Sequence, residues 1–414
     1  MGDIVETQAM DDVAVYELHS GTGDGADMVF AFNGCLISVS IFPSNGSSTK
    51  DTQGQEDRPL QDHLIDLIEK ATVCQDDDEY EELVDEVFAV ILDAGRPLFC
   101  QLIYSQDQQA QNKFLHYFLF PPFFHFRLEA SAPTGSVSII PISSSETDTI
   151  HTVDPASDQG FQEELEICQD LPRYTPEEVF ATEVFERGAR TVTAAVQIQG
   201  RDMFCKSSGE LRGLYGTSKG RELECLHKIR EFFPTGSIRV PQLLGYVNNH
   251  DTEHILGFLR QWVPGRRLSD IITSATSQNK EKWASQIRQT VELLHQHGLI
   301  WGGGKPDSII IDEQDNAWLI DFGGGYTRGW VDEDLAETKE GDEQALNRIM
   351  ELLSGVRMQV SDEVLAIRTG NVFHCKRHSP IRKNLFRELS KQHLEGHLVG
   401  RQRLRISQKQ YFTE

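Results

Sequence analysis

Apolar side chains dominate residues 28–42, with Asn33-Gly34 at the centre of the run. The pattern predicts two strands joined by a tight turn, because Asn-Gly supplies the positive φ angles that a two-residue hairpin needs. Residues 43–58 are rich in Ser, Thr, Gly and Gln and read as a loop. Leu60–Thr72 and Glu79–Leu92 then carry apolar residues at helical spacing, with Leu64, Leu67 and Ile68 on one face and Leu83, Val87, Val90 and Ile91 on the other. Pro97–Tyr104, Phe114–Leu128 and Ser136–Ile142 read as strands, with the aromatic run at 114–126 in the core of this N-terminal part. Residues 143–160 have little apolar content and read as a linker, followed by a short acidic helix at Gln162–Cys168.

The second half changes rhythm. Thr191–Ile198 alternates apolar and polar residues, Gly200-Arg201-Asp202 makes a turn, and Met203–Lys206 returns as a strand. Arg221–Ile229 reads as a helix with Leu223, Leu226 and Ile229 inward. Strands at Pro241–Tyr246 and Ile255–Val263 precede a break at Pro264-Gly265. Helices at Leu268–Thr273 and Lys280–His297 follow, the second ending on Gly298 as a C-terminal cap. Ile309–Asp312 and Trp318–Asp321 form a last hairpin, and Pro380–Leu398 again shows helical spacing.

Charge divides the chain in the same place. Residues 1–170 hold 32 Asp+Glu against 6 Lys+Arg, a net of −26, and the remainder holds 32 against 33, a net of +1. An acidic module therefore precedes a nearly neutral one. The overall charge of −25 argues against nucleic acid as a partner, since phosphate binding needs a basic face. Ten Lys and Arg between Lys376 and Lys409 suit a terminal helix with a solvated basic face. The sharper reading docks that segment on the acidic module. The seven cysteines never occur at C-x-x-C spacing, which fits thiols in a reducing compartment better than a metal finger or a disulfide framework. The start of the chain has no basic n-region or apolar core, and the apolar run at 114–126 is too short and broken to span a bilayer. These features point to a cytoplasmic or nucleocytoplasmic protein without membrane insertion. Asp76-Asp77-Asp78-Glu79 lacks the alternating ligands and mid-loop glycine of a calcium loop, so it reads as the acidic start of the following helix.

The chemistry concentrates in Trp301-Gly302-Gly303-Gly304-Lys305-Pro306-Asp307-Ser308, with Asp321-Phe322-Gly323 thirteen residues on. This pairing matches the register of a kinase catalytic loop, H-R-D-x-K-P-x-N, and its following D-F-G. Upstream, the strand-ending Lys206 stands sixteen residues before Glu222 on a predicted helix, while Glu224 points elsewhere. A Walker cradle on Gly302–Lys305 is excluded, because Pro306 occupies the position after the lysine. With Asp321-Phe322-Gly323-Gly324-Gly325-Tyr326-Thr327, Gly329-Trp330-Val331-Asp332 and Thr338-Lys339-Glu340-Gly341-Asp342, the chain resembles the fungal protein-kinase-like family over roughly residues 174–355. That fold also resembles aminoglycoside phosphotransferases.

Charge and periodicity set a separate acidic α+β module first, and the resemblance implies a bilobal protein-kinase-like fold after it, α+β overall. The expected divisions are 1–142 for the module, 143–172 for the linker, 173–262 for the N-lobe, and 263–414 for the C-lobe with its basic terminal helix. It implies ATP held by Lys206, Glu222 and Gly188, and Mg2+ held by Asp321 and Ser308. Three departures matter. Gly303 stands where the catalytic aspartate belongs, although Lys305 is retained. The phosphate loop keeps one glycine, Gly188, and there is no A-P-E motif. The expectation is a pseudokinase or strongly impaired phosphotransferase that binds ATP weakly and acts as a regulatory or scaffolding module for a protein partner. The alternative is an active ATP-dependent phosphotransferase, a protein or small-molecule kinase, using a non-standard catalytic loop.

Overall fold

The computed structural model describes residues 12–20, 25–44, 59–74, 76–104, 113–130, 136–142, 167–209, 214–250 and 254–355. The expected linker up to residue 166, most of the helix at 162–168 and the basic C-terminal segment lie outside them. The architecture is α+β. No described helix is long and apolar enough to cross a membrane.

The first sheet comprises β1 (Val13–Ser20), β2 (Ala26–Phe32), β3 (Cys35–Ile41), β4 (Phe123–Ala130) and β5 (Val137–Pro141), hydrogen-bonded in that order. The β2–β3 turn is the expected one, with φ of 47° at Asn33 and 90° at Gly34. β3 and β4 run parallel, which requires a long crossover, and α1 (Leu60–Val73) and α2 (Asp77–Tyr104) supply it. Asp76 accepts the Glu79 N–H at 2.9 Å, so the acidic run does cap α2.

Two expectations fail here. Residues 97–104 are the last turns of α2 and not a strand. Pro97 costs the helix one hydrogen bond, but Val87, Phe88, Ile91 and Phe99 lie on a face buried against the sheet, and that burial prevails. Gly95 makes room for the Phe99 ring, since a Cβ there would overlap it. The aromatic run also divides. Phe126 and Leu128 enter the first core, whereas Leu115, Phe118 and Leu119 form α3 (Leu115–Leu119), which packs on the second sheet.

That second sheet contains β6 (Arg173–Tyr174), β7 (Phe180–Arg187), β8 (Thr191–Ile198), β9 (Arg201–Ser208), β10 (Leu243–Asn248) and β11 (Ile255–Gln261), in the order β6-β10-β11-β9-β8-β7. Side chains alternate between its faces. Val192, Ala194, Val196, Met203, Cys205 and Leu259 meet α3 on one face. The register places Thr193, Lys206 and Phe258 in one row of the opposite face, and Ala195, Phe204 and Arg260 in the next. α4 (Ser218–Phe232) connects β9 to β10.

The remaining elements are β12 (Gly265–Arg267), β13 (Ile309–Asp312) and β14 (Ala317–Leu319), with α5 (Leu268–Ile271), α6 (Ser277–Gln296) and α7 (Lys339–Ser354). Trp283, Ile287, Trp301, Leu319, Phe322 and Ile349 share one apolar cluster with Leu223 and Leu226 of α4. Gly298 closes α6 at φ 70°, as its sequence position predicts.

Candidate functional site

Lys206, Glu222 and Asp321 converge. The Lys206 Nζ lies 2.5 Å from Glu222 Oε2 and 3.0 Å from Asp321 Oδ1. Three local features aim them. Lys206 faces inward from β9, and Glu222 is turned in because Leu223, Leu226 and Ile229 bury the same flank of α4. Thr217 begins that helix by accepting the Gly220 N–H at 3.1 Å. Asp321 leaves β14 with φ 67°, a left-handed turn that redirects its carboxylate toward the lysine. Glu224 is exposed, as expected.

The electrostatics follow from this geometry. Lys206 draws the Asp321 carboxyl down to about 2, against the opposing effect of burial. Burial alone would lower the Lys206 pKa, but Asp321 and Glu222 outweigh it and hold the ammonium above its ordinary value. A third cation was not legible in the sequence. Arg260 is buried with its Nε 3.9 Å from Glu222 Oε1, and burial pushes its pKa down to about 10. Its Nε has no hydrogen-bond partner.

The loop after α6 is anchored from below. Asp342 of α7 accepts the backbone N–H groups of Trp301 and Gly302, both at 2.8 Å, and lies 2.8 Å from His295 Nε2. From above, Arg221 donates to the carbonyls of Phe322 and Trp301 and pairs with Glu337 at 3.4 Å. Gly302 has φ 73°, and a Cβ there would meet the Arg221 guanidinium at 2.8 Å. At Gly303 a Cβ would overlap the carbonyl oxygen of Asp321. Asp307, further along the loop, accepts the Ser269 hydroxyl at 2.9 Å, so it is bound to α5. Lys305 Nζ reaches Thr327 Oγ1 at 3.5 Å.

Ser308 is buried, and its Oγ has no hydrogen-bond partner. An orphan hydroxyl is a donor of the right class for a hard cation. The set is nonetheless thin: one carboxylate already paired with Lys206 and one neutral oxygen. Among the described residues no group of three His, Cys, Asp or Glu could hold a metal.

Gly188 is not gathered with the others. It sits in the β7–β8 hairpin, where its N–H donates to the Thr191 carbonyl at 2.9 Å. That hairpin is packed against the first sheet and α3. Arg187 lies over Tyr117 and Phe118, Arg190 lies over Phe123, and Ala189 joins Tyr16 and Leu36. A loop recognisable by one glycine carries no sequence signal for such a docking.

No protein-family model matches the chain. Over 124 residues it is 29% identical to the serine/threonine-protein kinase PKH3 of Eremothecium gossypii, covering 29% of this chain and 16% of that protein. Over 114 residues it is 28% identical to a probable serine/threonine-protein kinase KIN1 homolog of Encephalitozoon cuniculi, covering 26% of this chain and 20% of that protein. The aligned stretches thus span a fifth or less of those relatives. Within that stretch the chain is kinase-like.

Proposed function

We propose that the protein is a kinase-like binding module, a pseudokinase or strongly impaired phosphotransferase, that takes ATP weakly and acts through a protein partner. One observation carries this reading: Lys206, Glu222 and Asp321 are assembled, while the position of a catalytic base is a glycine with no room for a side chain. Phosphoryl transfer needs a positioned nucleotide, a metal and a carboxylate to orient the attacking hydroxyl. Lys206 would bind the phosphates, and Asp321 with Ser308 would hold the Mg2+ that neutralises their charge. The third requirement has no candidate, since Asp307 is held by Ser269. General-base catalysis contributes about 10²–10⁴-fold, so its loss leaves at most a slow enzyme.

The same reading takes residues 173–262 and 263–355 as two lobes and residues 1–142 as an added module. It places the protein in the cytoplasm or nucleocytoplasm. The test is a thermal-shift titration with ATP, with and without Mg2+, on the wild type and Lys206→Ala. A ligand at about 100 times its dissociation constant stabilises by about 2.7 kcal/mol. We expect a shift in the wild type at millimolar ATP that Lys206→Ala abolishes, together with negligible phosphate transfer. Equal shifts in both proteins, or rapid transfer, would overturn the reading.

A further inference from the structure

Phe204 precedes Lys206 by two residues in β9 and therefore shares its face of the sheet. The V-A-I-K pattern of kinases has alanine at this position. Here the phenyl ring is 8% exposed and lies parallel to two other rings. Its centroid is 6.3 Å from Trp262 at an interplanar angle of 6°, and 5.9 Å from Phe185 at 21°. Phe185 and Trp262 are themselves 5.8 Å apart at 16°. The Arg260 guanidinium carbon sits 3.7 Å from the centroid of Phe204. Arg260 is in turn fixed near Glu222, the carboxylate that also binds Lys206.

These spacings distinguish a plug from a cage. A planar base inserted between two parallel rings makes a contact of about 3.5 Å on each side, so the rings must stand about 7 Å apart. All three separations are shorter. No base inserts between these rings, and Arg260 also contacts the Phe204 ring. A buried guanidinium over an aromatic face is a favourable desolvated contact, which gives the ring a defined place.

We propose that Phe204, clamped by Arg260 and by the Phe185–Trp262 pair, occupies the base-binding position beside Lys206 and sets the cleft's low affinity for nucleotides. This rests on the kinase-like reading above and adds its specificity-determining residue. The phosphate side of the cleft keeps its lysine, while the base side is filled by the chain's own ring. The wild type should therefore discriminate poorly between ATP and other triphosphates and should not bind adenosine.

The full chain carrying Phe204→Ala tests this, with ATP, GTP and adenosine as probes in calorimetry and thermal shift. We expect the variant to bind ATP at least tenfold more tightly and adenosine measurably. Adding Lys206→Ala should remove the gain for ATP and keep it for adenosine. If the alanine variant fails to fold, Phe204→Val puts a β-branched residue of high strand propensity there and should show the same gain at smaller size. Trp262 fluorescence reports the released ring in either variant. Wild-type protein that binds adenosine as tightly as the folded variants would overturn the proposal. So would folded variants whose ATP affinity is unchanged. If that unchanged affinity still depends on Lys206, the plug alone fails and the kinase-like reading stands. If it does not, both fail.

Discussion

At the residue scale, the site is a charge cluster in which one ammonium, Lys206, holds two carboxylates, Glu222 and Asp321. Lys206 and Glu222 belong to one strand–helix unit, and Asp321 announces itself in a three-residue motif. Arg260 and Arg221 escaped a reading of the sequence because their partners depend on tertiary contacts. Arg221 and Trp301, for example, are 80 residues apart. Gly303 was legible as a missing carboxylate, but the reason an added one should fail was not. Its Cβ position is occupied by the Asp321 carbonyl oxygen, so Gly303→Asp must displace either the loop or the strand end. We expect this variant to lose about 1–3 kcal/mol, as overpacked sites do, and to gain no phosphate transfer. A folded variant that transfers phosphate faster than the wild type would refute this. The ion pairs give a second prediction. Asp321 is depressed to about 2, so its contribution is full above the unfolded pKa near 3.9 and is lost as the pH falls toward 2. Lys206 is raised, so its contribution is full below about pH 10.4 and is lost only above that. The difference in melting temperature between the wild type and Lys206→Met should narrow as the pH falls through the acid range, since burial raises the Asp321 carboxyl once the ammonium is gone and acid neutralises it in the variant first. A difference that stays constant into acid would refute the linkage.

At the scale of elements, periodicity identified the β2–β3 hairpin, both crossover helices and the strands around Lys206. It failed at 97–104, where a short apolar run reads as a strand, while the buried face of α2 carries the helix through Pro97. It missed β1, whose pattern of partly buried residues is weaker than that of its neighbour β2. What holds α4 in place is also invisible in any one element. Arg221 ties that helix to the carbonyls of Phe322 and Trp301 and to Glu337, in space that Gly302 leaves open. The Glu337 arm is half-exposed and so worth about 0–1 kcal/mol, whereas the Phe322 carbonyl loses a charge-assisted bond worth about 1.5–3 kcal/mol if the guanidinium is removed, and the long contact to Trp301 adds little. Arg221→Met should therefore loosen α4 and residues 321–337 together in hydrogen exchange, with Glu337→Gln far milder. Equal effects of the two substitutions would place the tie in the ion pair instead.

At the scale of the molecule, charge suggested an electrostatic attachment of the acidic N-terminal part to the basic tail, a segment outside the described residues. The contact that is described is largely apolar and lies elsewhere. Leu115, Phe118 and Leu119 cover a face of the second sheet, and Gly209 lets the chain approach so closely that a Cβ would overlap the Leu119 carbonyl. Composition could not show this, because β8 reads as an alternating strand, although nearly all its residues are buried. The contact also fixes the Arg187–Arg190 hairpin, whose arginines rest on Tyr117, Phe118 and Phe123. It thus joins the N-terminal sheet to the strand that bears Lys206. Leu119→Asp buries a carboxylate without a partner in this seam and should cost about 3 kcal/mol or more. We expect it to separate the melt into two transitions and to open residues 113–120 to protease. Because the seam is apolar, 1 M salt, where the screening length is about 3 Å, should leave the wild-type melt a single transition. Dissociation of the two parts by salt alone, with Leu119→Asp melting as the wild type does, would restore the electrostatic attachment.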